Sequence, residues 1–337
     1  MKENYAYIDY LKLFLCFCVV GIHAEIFYNF DNIIDYTIFH AIFRIAVPFF
    51  FLCSGFFLGL KLYKTNDIKE KNNIINKYLK RLLVPYIFWM IIGSFKVFSL
   101  LEGSFIIKIF KLVRVAIFNP WTALWYVWAI IVFLLIYKVL LNVFKDKLNL
   151  NKLIIVSIFL YLFALLCNNY YFVVINTPLK SIIDLYMKIF ITPRNALFVA
   201  PIFILMGFKI AKDGYLFKRI SKKKSLIATL ILFILLIVET ILIKDLNFND
   251  DRSLYILFIL FIPSLFILFT KFKSQKDTKV IRNLSTGIYF MHCSSLNILR
   301  YFIYNNYLLY FINIALDILV LLILYKINNK YINKLIK

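Results

Sequence analysis

Histidine, cysteine and glycine are scarce in this sequence, and their placement excludes several common kinds of site. The chain has three histidines, five cysteines and eight glycines among 337 residues. Cys16 and Cys18 fall on different faces of a helix, and the cysteines lie mostly within apolar runs, so neither a disulfide framework nor a zinc site is predicted. The glycines form no phosphate-binding loop. We therefore expect no metal and assign the cysteines to apolar packing.

Acidic residues are also few, with 17 Asp and Glu against 40 Lys and Arg and a net charge of +23. Such a balance can indicate nucleic-acid binding. Here, however, the basic residues fall in the gaps between apolar runs, where membrane topology requires them, rather than in one soluble module. We therefore predict no nucleic-acid partner.

Apolar residues dominate the chain, making up 63% of it, where a soluble domain has about 45–50%. Runs near 20 residues recur, which is about the length that crosses the hydrocarbon of a bilayer, and such spans are helical because lipid offers the backbone no hydrogen bonds. The sequence predicts an all-α integral membrane protein, with one domain over 1–337 and about ten transmembrane helices around a polar central cavity. The predicted spans are 7–28, 38–60, 79–101, 123–143, 152–174, 195–211, 224–244, 253–272, 284–305 and 307–327.

Lysine and arginine are concentrated in alternate gaps between these spans. The gaps after spans two, four, six and eight and the C-terminal tail are rich in them, whereas 29–37 and 304–308 contain none. By the positive-inside rule, both termini face the cytoplasm. The abundance of Lys, Asn and Ile suggests an AT-rich bacterial genome, so we expect a multi-pass protein of a bacterial cytoplasmic membrane.

Two outer gaps, 105–118 and 179–190, are long and partly apolar. In the first, Lys108, Lys111 and Arg114 are spaced by three residues and align along one side of a helix. We expect both segments to lie flat in the outer headgroup layer. The basic stripe is explained by lipid anchoring or by holding an anionic glycan.

The first span carries ionisable groups along one face. Asp9, Lys12 and His23 share a helical stripe, and Lys12 and His23 differ in depth by about 16 Å. Glu25 points elsewhere. Ionisable groups within spans usually line a cavity and pair there.

Plainer explanations exist for each of these groups. Lys12 is also explained by snorkelling to the inner interface. His23 is also explained by a hydrogen bond between helices. For His40 and His292, which lie near span ends, an interfacial structural role is favoured.

Six short motifs occur in a fixed order along the chain. They are YIDYLKLFLCFCVVGIHA at 7–24, FRIAVPFFFLCSGFFL at 43–58, KYLKRLLVPYIFW at 77–89, LWYVWAII at 124–131, RNALFVAPIFILMG at 194–207 and LSTGIYFMHCS at 284–294. Together they resemble the acyltransferase-3 family of integral membrane acyltransferases, and the resemblance covers nearly the whole chain.

The match departs from the family pattern at two places. The basic residue of the first helix is typically Arg in the family and is Lys12 here. The third helix commonly begins with Arg-x-x-Arg, where this chain has Tyr78 and Arg81, so that Lys77 or Lys80 takes the place of the first Arg. Lysine is a point charge and does not reproduce the bidentate grip of a guanidinium group.

The resemblance implies an enzyme that moves an acyl group other than an aminoacyl group, usually acetyl, from cytoplasmic acyl-CoA to a hydroxyl of an extracytoplasmic or lipid-linked glycan. Succinyl is a possible alternative. The phosphates of CoA need basic partners, which we assign to Lys12, Lys77, Lys80 and Arg81. The pantetheine arm would then run along span one toward His23.

Catalytic roles follow from the same resemblance. His23 is assigned as general base, because an imidazole suits proton transfer at neutral pH; an acyl-imidazole is the less favoured route. Arg44 and Arg194 are assigned to the oxyanion or the acceptor, with interfacial anchoring or an ion pair to Glu239 or Asp251 as the alternative.

The remaining assignments concern the acceptor and the first helix. Trp125 and Tyr126 could stack on a sugar, although aromatic residues are common at membrane interfaces. Glu239 is also assigned to substrate binding, and Asp9 to orienting its neighbours.

Two other functions compete with acyl transfer. A transporter or flippase for a lipid-linked glycan would also have about ten helices and buried charges, but inverted repeats, which would favour it, are not evident. A polysaccharide export subunit without turnover is the other. The expected partners are acyl-CoA, the acceptor and membrane lipids, and an oligomer is possible.

Overall fold

The structure is a computed structural model that describes residues 5–27, 32–121, 123–246, 252–327 and 329. Over these residues the chain is helical without a β-strand, which confirms the all-α prediction. Every predicted span overlaps a helix. The α-helices are α1 (Ala6–His23), α2 (Ile33–Thr37), α3 (Ala46–Leu62), α4 (Ile68–Leu100), α5 (Phe105–Phe118), α6 (Trp125–Phe144), α7 (Leu150–Leu166), α8 (Leu179–Phe190), α9 (Ala200–Lys212), α10 (Gly214–Arg219), α11 (Lys222–Leu242), α12 (Phe258–Thr270), α13 (Lys279–Leu299) and α14 (Asn306–Ile327).

Six helical segments in the described part of the chain are long and apolar enough to cross a membrane. They are Ala6–His23, Ile33–Leu62, Ile68–Leu100, Trp125–Lys147, Lys222–Leu242 and Asn306–Ile327. The second is continuous because a π-helical turn (Ile38–Ile42) and a 3₁₀ turn (Phe43–Ile45) join α2 to α3. The predicted spans over α7, α9 and α12 are helices of 17, 13 and 13 residues. The chain therefore has the helices of a multi-pass membrane protein, and the number ten stays a prediction.

The chain folds into two compact units, and neither is continuous in sequence. Unit one consists of Met1–Ala46, Arg81–Trp125 and Phe272–Lys337. Unit two consists of Val47–Lys80 and Tyr126–Lys271. The first and last parts of the chain therefore meet within one unit.

Helices α1 and α13 form the centre of unit one and run in the same direction. Near their first turns, Arg282 Nη2 lies 2.9 Å from Asp9 Oδ2. Beyond their last turns, Arg300 Nη2 donates to the carbonyl oxygen of His23 at 2.9 Å. Helix α14 packs on α13 at Gly287, where a Cβ atom would lie 2.5 Å from the side chain of Leu321. A small residue is needed at this crossing because the helices approach closely.

Unit two contains a similar close crossing between α3 and α9. A Cβ atom on Gly55 would collide with the backbone of Ile204, and one on Gly207 would collide with the backbone of Leu52. The two glycines therefore allow the helix backbones to touch, as small residues do in membrane helix pairs.

Side chains satisfy the backbone where the helices of unit two begin. Asn149 caps α7 by accepting from the backbone N–H groups of residues 151 and 152, and Ser221 caps α11 by accepting from that of residue 224. Residues 252–255, before α12, are not helical, and there Asn168 Oδ1 accepts from the N–H groups of Ser253 and Leu254, each at 3.1 Å. These bonds satisfy N–H groups that have no helical partner.

Helices α5 and α8 have the exposure expected of surface segments. Helix α5 has no buried residue, and α8 exposes Ile182, Leu185 and Ile189 along one side. On α8, the hydrogen bond from Lys180 holds the pKa of Asp184 below its usual value, and Tyr171 donates to the same carboxylate at 2.6 Å. The exposed apolar side agrees with the prediction that α8 lies in a headgroup layer.

Candidate active site

Two imidazole rings and a thiol meet where α1 approaches α13. His23 is the last residue of α1, and its ring centroid lies 5.3 Å from that of His292. Cys293 Sγ lies 3.3 Å from His292 Nε2. The ligand atoms of these three residues all lie within 4.8 Å of one another.

The orientation of His292 is set by its own helix. The residue is fully buried, and its Nδ1 lies 2.8 Å from the carbonyl oxygen of Tyr289 and 3.1 Å from that of Ile288. Because carbonyl oxygens only accept, Nδ1 carries the proton in the neutral ring. The lone pair is then on Nε2, which faces the thiol of Cys293.

A cavity of about 210 Å³ opens beside this cluster within unit one. It is large enough for several water molecules or a small acyl group. His23, Cys293 and two cationic side chains contribute to its wall. The polar and aromatic lining residues are His23, Lys96, Trp121, Cys293, Asn297 and Arg300.

Hydrogen bonds hold the wall of the cavity in place. Lys96 Nζ donates to Asn297 Oδ1 at 2.6 Å, and Trp121 Nε1 donates to the carbonyl oxygen of Met90 at 3.1 Å. Arg300 contacts Glu25 Oε1 at 3.1 Å in addition to the carbonyl of His23. The cavity therefore combines one imidazole, that of His23, with positive charge, an arrangement that can remove a proton and stabilise an oxyanion.

The other end of α1 carries an ion pair between a buried carboxylate and an exposed arginine. Asp9 is 2% exposed, and it accepts from Thr278 Oγ1 at 2.7 Å and from Arg282 Nη2 at 2.9 Å. Asp9 and His23 are about 21 Å apart along the helix. Asp9 therefore joins α1 to α13 at the end opposite the cavity, which fits the orienting role assigned to it.

The basic residues assigned to CoA are not part of the cavity wall. Lys12 is partly exposed on α1, while Lys77, Lys80 and Arg81 are exposed on α4. Exposed bases remain accessible to phosphate groups, so their assignment to the donor stays a prediction.

Arg44 and Arg194 belong to different units. Arg44 is in the 3₁₀ turn of unit one, with its guanidinium carbon 5.2 Å from the ring centroid of Phe39. Arg194 is in unit two, where its Nε lies 3.5 Å from Thr192 Oγ1. Neither is among the residues that line the cavity. Asp251, the suggested alternative partner, lies outside the described residues.

The carboxylate of Glu239 forms hydrogen bonds within unit two. Its carboxylate accepts from Tyr170 Oη at 2.5 Å and from the backbone N–H groups of Ile256 and Leu257 at 2.6 and 3.0 Å. Leu257 is the N-cap residue of α12. The contacts thus fit a helix cap, and substrate binding by Glu239 stays a prediction.

The two aromatic residues assigned to sugar stacking are adjacent in sequence, at the start of α6. Tyr126 Oη lies 2.8 Å from Ser54 Oγ and 3.1 Å from the carbonyl oxygen of Phe50. Its ring centroid is 4.7 Å from that of Phe51. Tyr126 therefore packs against α3, and Trp125 is partly exposed.

Three residues of the site region were not assigned to it from sequence. His292 was placed at the interface but is fully buried beside His23, and Cys293 was assigned to packing. Asp317 was overlooked; it is fully buried in α14, where Asn313 Nδ2 donates to it at 3.1 Å. A carboxylate in the middle of an apolar span is a signal of function in its own right.

Comparison with known proteins identifies one family. A family model described as "Acyltransferase domain" matches residues 5–325. An "Amino-acid racemase" of Enterococcus faecalis is 28% identical over 303 residues, covering 87% of this chain and 41% of the relative. A "Serine/alanine racemase" of Enterococcus gallinarum is 25% identical over 291 residues, covering 85% of this chain and 40% of the relative. The chain thus spans about two fifths of the length of these curated relatives. No solved structure matches.

Proposed function

The chain belongs to the acyltransferase-3 family, and from that premise we propose that it moves an acyl group, with acetyl as the first candidate, from cytoplasmic acyl-CoA to a hydroxyl of an extracytoplasmic or lipid-linked glycan. The observation that carries this proposal is the cavity of unit one, where His23 lies beside Lys96 and Arg300. An imidazole and two cations are what hydroxyl deprotonation and oxyanion stabilisation require.

The donor is bound by basic residues that are exposed or partly exposed, namely Lys12 on α1 and Lys77, Lys80 and Arg81 on α4. Lys12 lies one turn after Asp9, and Arg81 follows Lys80 directly and Lys77 by four residues. The phosphates of CoA bind to these side chains by charge-assisted hydrogen bonds. The extended pantetheine arm follows α1, which rises about 16 Å between Lys12 and His23.

The membrane arrangement has ten spans with both termini in the cytoplasm of a bacterium. The parallel course of α1 and α13 supports it, because two parallel spans require an even number of crossings between their starting points. In the ten-span arrangement α13 is the ninth span, which satisfies this condition. His23 is then near the outer surface, where the acceptor arrives.

The test is acyl transfer by the purified protein. Radiolabelled acetyl-CoA is incubated with the protein and with a panel of surface-glycan acceptors, and both labelled product and free CoA thiol are measured. We expect His23→Gln to lower the rate by about 10²–10⁴-fold, because it removes the general base. Lys223→Gln, an exposed change at the start of α11, is the matched control and should not alter the rate.

Two results would contradict the proposal. Near-normal acyl transfer by folded His23→Gln would contradict the assignment of His23 as the general base. Glycan movement across vesicles without release of CoA thiol would instead favour a transporter.

A further inference from the structure

The thiol of Cys293 has the surroundings of a nucleophile. Cys293 lines the cavity, and its Sγ lies 3.3 Å from His292 Nε2. His292 is in turn oriented by the backbone carbonyls of Ile288 and Tyr289. A nucleophile, a base within hydrogen-bond reach and a group that orients the base are the three parts of an activated nucleophilic site.

The rest of the cavity supplies what such a nucleophile needs. Lys96 and Arg300 line the same cavity, so positive charge is available for the oxyanion of a tetrahedral intermediate. The ring of His23 lies next to that of His292 and provides a second imidazole, with the two ring centroids 5.3 Å apart. One imidazole can thus serve the thiol while the other serves the acceptor.

Resting on the function proposed above, we propose that Cys293 carries the acyl group as a covalent thioester between donor and acceptor. The reaction then has two half-reactions at one cavity, with His292 as the base of the first and His23 as the base of the second. This differs from direct transfer and from an acyl-imidazole on His23.

In the first half-reaction the acyl group moves from one sulfur to another. The Cys293 proton passes to His292 Nε2 while Sγ attacks the carbonyl carbon of the acyl-CoA thioester. The bond between that carbon and the CoA sulfur breaks, and the departing sulfur takes the proton back from His292. One thioester is exchanged for another, so no oxidant, reductant or energy source is required.

In the second half-reaction the acyl group moves to oxygen. The acceptor hydroxyl attacks the Cys293 thioester and gives its proton to His23. The bond between the acyl carbon and Sγ breaks, and the thiolate receives the proton from His23. The products are an oxygen ester and the original thiol, and the sulfur lets CoA leave before the acceptor binds.

The same three side chains are also close enough to hold a metal ion. A dication would, however, share the cavity wall with Lys96 and Arg300, and like charges repel each other. Thioester chemistry uses these two cations, whereas metal binding would have to overcome them.

The experiment traps the acyl-enzyme. Full-length protein is mixed with radiolabelled acetyl-CoA without acceptor, quenched in acid and digested, and the labelled peptide is identified by mass spectrometry. We expect one acetyl group on Cys293 that neutral hydroxylamine removes. Cys293→Ala should abolish the adduct, and Cys167→Ala, a change at a buried cysteine of unit two, should retain it.

Two histidine variants separate the half-reactions. His292→Gln should slow adduct formation by about 10²-fold or more, because it removes the base of the first step. His23→Gln should form the adduct at the normal rate but accumulate it when acceptor is added. The thermal unfolding of Cys293→Ser, measured in detergent, shows whether loss of the adduct results from loss of the nucleophile or from loss of the fold.

The outcomes distinguish this inference from the proposed function. Acetyl transfer at the wild-type rate by Cys293→Ala, or an adduct on His23, would overturn the thioester and leave the acyltransferase intact. Loss of the adduct with a chelator and its recovery with Zn²⁺ would assign the cluster to a metal and also overturn it. If wild-type protein released no CoA thiol with any acceptor and formed no adduct, the proposed function itself would fail.

Discussion

At the scale of single residues, the site of unit one depends on a buried imidazole, a group that membrane helices rarely contain, and on the thiol beside it. His292 is fully buried and Cys293 is nearly so. Within hydrocarbon such groups are usually retained for a function or because they pair with each other. Their contacts with one another and with backbone carbonyls satisfy this requirement, and a cavity lies beside them.

Lys96 provides the residue-scale test of oxyanion stabilisation. Lys96→Met removes the charge that lines the cavity, and we expect kcat for acyl transfer to fall by about 10²-fold, as for other losses of an oxyanion donor. Initial rates with varied acetyl-CoA measure the effect, with Lys223→Met as the exposed control. A rise in KM at unchanged kcat would instead assign Lys96 to binding of the ground state.

Sequence reasoning at this scale finds residues within one helix and misses those that depend on helix pairing. The stripe containing Asp9 and His23 follows from the helical repeat alone. The position of His292 beside His23 depends on which helix packs against α1, and a single sequence does not contain that information. The proposed role of Cys293 was missed for the same reason, because it depends on the nearby Nε2 of His292.

At the scale of helices, apolar runs predict which segments are helical better than where they begin. The spans predicted at 195–211 and 253–272 begin as α-helices at Ala200 and Phe258. In the second case the shortening has a tertiary cause. Asn168 accepts hydrogen bonds from the non-helical backbone before α12, and a hydropathy window does not register a side chain about 85 residues away.

A substitution of Glu239 tests whether this partly buried carboxylate caps a helix or binds substrate. Glu239→Ala removes the acceptor for two N–H groups at the start of α12, and we expect a loss of about 1–2 kcal/mol in the free energy of unfolding, as for other helix caps. Thermal unfolding in detergent measures it, with the exposed Glu102→Ala as control. A selective rise in KM for the acceptor at unchanged stability would support the substrate-binding assignment instead.

At the scale of the whole molecule, the ten-span arrangement predicts which loops face each side. Cysteines placed at the exposed positions Lys64 and Lys218 should react with an impermeant maleimide only after cells are opened. Cysteines at the exposed positions Glu102 and Tyr304 should react in intact cells. The five natural cysteines are buried, so background labelling should be low. Labelling of Lys64→Cys in intact cells would contradict the predicted orientation.

The composition of unit one determines when during synthesis the site can exist. His23 leaves the ribosome well before its partner His292 on α13, which follows it by 269 residues (292 − 23). Domains generally fold as units during translation at about 5–20 residues per second. On this scale, helix α1 would be in the bilayer for tens of seconds before α13 is synthesised, and its polar groups would lack their partners during that interval. A nascent chain that stops before α13 would therefore insert its first helix into the membrane without the residues that complete the site around His23.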